Sequence, residues 1–164
     1  MKKLDTSALS RITDPKLSIA YKKELYTHTV VLALEEFLSE NFRGLIKVKY
    51  GKIENTIIKI SAEYLAYLIK LLLRQADGRT FITVYASMTQ GGLELSFEAD
   101  EELHFTEREQ TSLISAAQSA GFYLSPSRRG FILKADAQPA RGVAYVYAHD
   151  TYPLTDVFYK TFFS

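Results

Sequence analysis

The densest group of side chains that could do chemistry is acidic. Glu98, Asp100, Glu101 and Glu102 lie close together in the chain, and carboxylates so grouped could serve acid/base catalysis or bind calcium. The Asp-x-Asp-x-Asp-Gly pattern of a calcium loop is absent, however, and Glu98 falls on the outward phase of an alternating strand. Acidic residues before a helix also stabilise its dipole. The run therefore fits a solvated face better than a catalytic centre.

Basic residues form two groups that could bind anions. A turn at Arg128-Arg129 could meet Arg74 and Arg79 in an anion site. A basic stripe on a predicted hairpin could touch nucleic acid, and it consists of Lys47, Lys49, Lys52 and Lys59. Solvated turn charges and protection of a strand edge explain these groups better. Because 20 Lys and Arg face 19 Asp and Glu, a net charge of +1, we expect no nucleic-acid partner.

Neither histidine nor cysteine provides a metal site or a catalytic nucleophile in this sequence. His28, His104 and His149 are scattered without the i, i+4 pairing of a metal site, and His28 is predicted to be a hydrogen-bonded, partly buried residue. The chain has no Cys, which removes disulfides and thiolate chemistry. It has neither a Gly-x-Ser-x-Gly elbow nor a phosphate-loop Lys motif. We therefore assign no catalytic residue and no metal ligand.

The composition predicts one folded domain. The 164 residues are 47% hydrophobic and 24% charged, with 8 Gly and 4 Pro, which excludes a disordered or low-complexity chain. We expect a loose lead-in over 1–14, a single domain over 15–149, and an aromatic tail over 150–164 that packs on the domain or on a partner. No apolar run approaches the roughly 20 residues of a membrane span. A cytoplasmic location without a membrane partner is expected.

The first half of the chain reads as helix, two strands and helix. Asp14-Pro15 is a helix start, and the apolar spacing predicts a helix to about Asn41. Leu45–Tyr50 and Thr56–Ile60 are predicted as a strand and the strand returning beside it. From Ser61, apolar residues recur with helical spacing, and the second helix is predicted to end at Gly78.

The second half adds two strands, a helix and three strands. Phe81–Ser87 and Leu93–Ala99 read as a hairpin around Gly91-Gly92. A capping box at Thr106 and Glu109 starts a third helix, which is predicted to stop at Gly121. The three closing strands are predicted over 122–125, 131–135 and 143–148. Because strands come in hairpin-linked runs, the prediction is an α+β two-layer sandwich, one mixed sheet with helices on one face.

This succession resembles the ATP-binding domain of the GHKL superfamily, which includes sensor histidine kinases and their anti-sigma-factor relatives. Leu72-Leu73-Arg74-Gln75-Ala76 is similar to the family's Leu-Leu-x-Asn-Ala, and Leu95 to Asp100 is similar to the strand that ends in the Asp of Asp-x-Gly-x-Gly. Gln118 to Leu124 is similar to the last helix and the strand after it. The resemblance covers about 16–148 and implies a histidine kinase-like ATPase fold.

The resemblance also implies a nucleotide site, from which this chain departs. Gln75 stands where the family has the Asn that holds magnesium, and Leu71, one turn earlier, carries no ligand atom. Asp100 matches the Asp that reads adenine, but Glu101 and Glu102 follow it in place of glycines, and three acids would repel a triphosphate. The family's long glycine-rich lid is replaced by 101–105, which span at most about 18 Å. Gln75 and Asp100 are thus candidates for a vestigial cofactor-binding site.

The function expected is a non-catalytic regulatory or protein-interaction module derived from this ATPase domain, acting in bacterial signal transduction. Intact ATPase or kinase activity and a bound cofactor are not expected, since His28 also lacks the acid and proline that follow a phosphoacceptor histidine in the family. A protein partner or a homodimer is expected through the first helix or the tail. The alternative is a nucleotide-binding kinase-type enzyme that uses ATP and magnesium with Gln75 and Asp100 in adapted roles. A third possibility is a small-ligand binder in the emptied cleft.

Overall fold

A computed structural model describes residues 22–76, 81–138 and 152–163, and the side chains of all of these except 74–76 and 152. The helices are α1 (Thr27–Asn41), α2 (Ala62–Ala76), α3 (Glu107–Ser119) and α4 (Tyr152–Phe162). The strands are β1 (Lys22–Tyr26), β2 (Ile46–Tyr50), β3 (Ile57–Ser61), β4 (Ile82–Thr89), β5 (Gly92–Ala99), β6 (Tyr123–Ser127) and β7 (Gly130–Gln138).

The strands form one mixed sheet in the order β1-β3-β7-β5-β4-β2, with β6 paired to β7 beside β3. Only β2 and β4 run parallel; the other pairs are antiparallel. Side chains alternate along β5, where Leu93, Leu95 and Phe97 are buried while Glu98 is exposed. One face of the sheet is therefore core, and the predicted α+β sandwich is confirmed.

The first helix begins later than the sequence predicted. Residues 22–26 form β1, which pairs antiparallel with β3, and α1 starts at Thr27; the predicted cap at Asp14-Pro15 lies outside the described residues. The N-cap residue of α1, Tyr26, makes no side-chain capping hydrogen bond. Instead, Thr27 Oγ1 donates to the carbonyl of Glu54 at 2.6 Å and accepts from the amide of Thr56 at 3.0 Å. A distant loop thus fixes where this helix begins.

The predicted hairpin of the second and third strands is wrong. β2 lies at one edge of the sheet beside β4, whereas β3 lies between β1 and β7. Four strand spacings, about 19 Å, separate β2 from β3, and the six residues 51–56 can extend about 20 Å. The connection is long enough to cross the layer, and the predicted lysine stripe is consequently divided between two parts of the sheet.

The local signals in the second half are confirmed. β4 and β5 form the predicted hairpin, with Gly91 at φ +88° in its turn. Thr106 and Glu109 form a complete capping box at the start of α3. The hydroxyl of Ser61 accepts from the amide of Tyr64 at 3.2 Å and so caps α2. The predicted strand over 143–148 and the lead-in over 1–14 lie outside the described residues.

The aromatic tail contains α4, which contacts α1 and α2. Phe37 of α1 is the centre of an aromatic cluster, 5.7 Å from Phe158 and 5.1 Å from Phe162 between ring centroids. The hydroxyl of Tyr159 donates to the carboxylate of Glu40 at 2.6 Å, and this hydrogen bond raises the pKa of Tyr159. The second half of α1, apolar on several sides, is thus covered by the chain's own last helix.

None of the helices within the described ranges is both long enough and apolar enough to cross a membrane.

Replacing Phe158 by Ala should destabilise the protein strongly. Its ring is 1% exposed, and removing such a side chain leaves a cavity that costs about 3–5 kcal/mol. Urea unfolding followed by circular dichroism measures the free energy. Phe163→Ala is the matched control, because that ring is 61% exposed and its loss should cost about 0.5 kcal/mol or less. Equal losses in the two variants would contradict the packing of α4.

Candidate functional site

The two candidate residues belong to elements that both adjoin the start of β4. Gln75 is the second-last residue of α2, which the segment 77–81 connects to β4; its side chain lies outside the described part of the structure. Asp100 directly follows β5, whose last residue Ala99 is paired with Ile82. Both predicted site residues therefore belong to elements that are joined to, or paired with, the start of β4.

The face of α2 that leads to Gln75 is apolar and buried. Tyr64, Leu68, Leu71 and Gln75 recur at i, i+4, i+7 and i+11, so they share one side of the helix. Leu71 is 1% exposed and Leu68 fully buried. The side chain one turn before Gln75 is therefore enclosed by protein and supplies no ligand atom.

Tyr64 fixes this face against α3. Its hydroxyl donates to the carbonyl of Leu113 at 2.9 Å, and its ring lies 6.4 Å from that of Phe122. Burial raises the pKa of Tyr64 because the phenolate would lose its hydration. Sequence reasoning missed this contact, although the spacing of Tyr64 from Leu68 and Leu71 was the available signal.

Asp100 lies at the surface. Its side chain is exposed, and its amide donates to the carbonyl of Phe81 at 3.0 Å. That bond holds the start of the loop to the start of β4. The carboxylate itself faces water, and Glu101 and Glu102 beside it are exposed too. The acidic run is solvated, as its sequence context indicated.

The short loop between β5 and α3 packs inward through apolar side chains. Leu103 and Phe105 are partly buried against the core, and the amide of Leu103 donates to the carbonyl of Arg128 at 3.0 Å. The capping box at Thr106 then begins α3 directly. Where the related fold has a lid, this chain has a tethered segment with two hydrophobic anchors.

The basic turn lies beside the acidic loop. The carbonyl of Arg129 accepts from the amide of Ala99 at 2.8 Å, next to the bond between Leu103 and Arg128. Both arginine side chains are exposed, while those of Arg74 and Arg79 lie outside the described part. The neighbouring carboxylates oppose the positive potential that an anion site at this turn would need.

No metal site is found in the described ranges, where no three His, Asp or Glu side chains come together suitably. The ring of His28 is partly buried and hydrogen-bonded through Nε2 to the carbonyl of Ile53, as the sequence predicted. It holds the loop after β2 to the start of α1. His149 lies outside the described residues.

Comparison with known proteins identifies the fold. No family model and no curated protein matches the chain. Among solved structures, the nucleotide-free catalytic domain of histidine kinase ThkA matches 73% of this chain and 99% of its own, with 11% identity and a TM-score of 0.50. Acinetobacter baumannii histidine kinase AdeS matches 80% of this chain and 74% of its own, at 11% identity and a TM-score of 0.49. The ATP-binding domain of PrrB from Mycobacterium tuberculosis covers 74% and 99%, at 16% identity and a TM-score of 0.47.

The chain therefore has the fold of a histidine kinase catalytic domain. This confirms the fold implied by the order of the sequence motifs. At such low identity the likeness concerns the arrangement of helices and strands, because one fold can carry many functions.

Tyr64→Phe should make the protein less sensitive to alkaline unfolding. The folded state keeps Tyr64 protonated above its ordinary pKa of about 10; this contribution is complete below pH 10 and is lost as the pH rises further. The wild-type free energy of unfolding should fall relative to the variant by about 1.4 kcal/mol per pH unit above pH 10. Below that pH, loss of the hydrogen bond should cost the variant about 1 kcal/mol.

Urea titrations of both proteins between pH 8 and pH 11 measure this difference. Exposed Tyr123→Phe is the matched control, and its pH profile should follow the wild type. Parallel profiles for wild type and Tyr64→Phe would contradict the buried phenol.

Proposed function

We propose that this chain is a non-catalytic regulatory or protein-interaction module built on a histidine kinase-like ATPase fold, acting in the cytoplasm in bacterial signal transduction. The observation that carries the proposal is that apolar side chains packed into the protein accompany both candidate residues. Leu71 is enclosed on α2, and Leu103 and Phe105 anchor the loop that would have to cover a nucleotide.

The magnesium side of the site supports this proposal. A magnesium ion needs oxygen ligands at about 2.1 Å in near-octahedral geometry. Leu71 has no such atom and is buried, and Gln75 carries its amide on one methylene more than the Asn of the related motif. The residues present do not fit magnesium coordination of the related kind.

The residues that would bind the nucleotide also support the proposal of a non-catalytic module. A carboxylate that reads adenine discriminates best where water is excluded, since a buried polar pair gains more than an exposed one. Asp100 is exposed instead, and it is followed by two further exposed acids that repel phosphates. The inward-packed loop after it spans too short a distance to enclose a triphosphate.

The alternative is a nucleotide-binding kinase-type enzyme with the same fold. Its support is the position of Asp100, which stands at the end of β5 with its carboxylate free of the core. In that case Asp100 would bind the adenine and Gln75 would act on the phosphates or the metal.

The partner surface proposed is the unit of α1 and α4. Phe163, which directly follows α4, is 61% exposed and packs against the aromatic cluster, and Leu32 of α1 is 41% exposed. Aromatic side chains are enriched where proteins contact one another. A protein partner or a second copy of the chain would extend this cluster.

Nucleotide should leave the stability of the protein unchanged. A ligand that binds the native state alone adds RT ln(1 + [L]/Kd), about 2.7 kcal/mol at a hundredfold excess over Kd. We expect no rise in Tm with millimolar ATP or ADP and magnesium, measured by differential scanning calorimetry. The Asp100→Asn variant controls for charge effects on the exposed loop. A rise in wild-type Tm that Asp100→Asn abolishes would establish the alternative instead.

Removing 149–164 should make the protein associate or precipitate. The truncation uncovers Phe37 and the neighbouring apolar surface of α1 that α4 buries, and exposed patches of this kind drive association. Light scattering coupled to size exclusion gives the oligomeric state. The Phe163→Ala variant of the full chain, which keeps all of α4, should retain solubility while weakening any partner contact. A soluble truncated protein of unchanged oligomeric state would refute this surface.

A further inference from the structure

The sheet divides at β7. Along one edge, the first half of β7 pairs with β6, from Gly130↔Ser127 to Lys134↔Tyr123. Its last residues pair on the same edge with β3, through Ala137↔Ile58 and Gln138↔Ile57. Between these two contacts the pairing of β7 passes from β6 to β3 at Asp136, and an opening lies beside this residue.

A cavity of about 430 Å³ lies at this opening. Ile57 provides apolar lining, whereas the ring of Phe122 is buried on the core side, 6.4 Å from that of Tyr64 in α2. Gly121, at φ +92°, closes one side, because its α-carbon lies so near the carbonyl of Lys59 that no side chain would fit. The polar side chains around the cavity come from five different elements and are Glu24, Lys59, Gln118, Tyr123, Asp136 and Gln138.

Opposite charges line the two walls. Asp136 lies on β7, and Tyr123 Oη donates to its Oδ2 at 3.4 Å, a long bond that leaves the carboxylate able to bind another donor. Lys59 lies on the facing strand β3, directly opposite Glu24 in the β1–β3 register. These side chains are exposed, while their neighbours Ile58, Ile60 and Ala135 are buried. All of them therefore project from the uncovered face of the sheet.

We propose that this cavity binds a small zwitterion of amino-acid type, whose ammonium pairs with the Asp136 carboxylate and whose carboxylate pairs with the Lys59 ammonium. The apolar side chain of Ile57 meets the carbon skeleton of the ligand, and the amides of Gln118 and Gln138 hydrogen-bond its side chain. A volume of about 430 Å³ is at the small end of ligand sites, about 300–1,000 Å³. This site includes neither Gln75 nor Asp100 and is independent of any nucleotide.

Titration of the ¹⁵N-labelled full chain with each common amino acid, up to about 10 mM, tests the proposal, since that range detects affinities of about 4 kcal/mol. At least one amino acid should shift the amide signals of Tyr123 and Asp136. Three analogues should bind about tenfold more weakly or worse. The N-acetyl derivative and the carboxamide of that amino acid each lack one of the two charges, and putrescine has a second positive charge in place of the negative one.

Single substitutions test whether Asp136 and Lys59 bind the ligand. Asp136→Asn and Lys59→Gln should each weaken binding about tenfold or more, with spectra that show a folded protein because both side chains are exposed. Glu94→Gln and Lys47→Gln are matched controls on the uncovered face outside the cavity, and they should bind as the wild type does. The proposal is overturned if no amino acid shifts these signals, if Asp136→Asn and Lys59→Gln bind normally, or if putrescine binds equally well.

Discussion

The burial of α2 is the constraint on which the rest of this structure depends. The helix packs into the core through Leu65, Leu68 and Leu72, meets α3 through Tyr64, and also contacts α4. A helix surrounded in this way leaves little of its circumference for a ligand. The same packing also encloses Leu71, one helical turn before the candidate residue Gln75.

Packing of α4 has a comparable consequence for α1. The second half of α1 is apolar on more sides than the core of the sheet can cover. The aromatic cluster around Phe37 covers the remaining apolar side. The hydrogen bonds of Tyr159 to Glu40 and Asn41 give this contact a defined register. Any partner at this surface would meet a composite of two helices that are far apart in the chain.

A fold can persist without the chemistry with which it is associated, because different residues carry the two. The sheet and helices are specified by buried apolar positions that alternate along strands and recur along helices. Ligand contacts depend on a few polar atoms, whose change need alter little of the core. This separation explains how the fold of a histidine kinase catalytic domain is recognisable here at 11% identity to ThkA, beside a loop with apolar anchors where a lid would lie.

The sequence by itself determined the features whose interactions are local. The capping box at Thr106, the turn at Gly91 and the start of α2 at Ser61 each depend on residues within a few positions of one another, and each was predicted. The order of the motifs then indicated the fold.

Only the tertiary structure decided the features that depend on distant residues. β1 is a half-exposed edge strand whose apolar spacing also fits a helix, so its pairing with β3 was not readable from periodicity. The separation of β2 from β3 depends on the loop tethered to Thr27, and the cavity beside Asp136 lies where the pairing of β7 passes from β6 to β3. Pairing and packing between remote segments are set by which apolar surfaces can be buried together, and a single chain read in order does not contain that information locally.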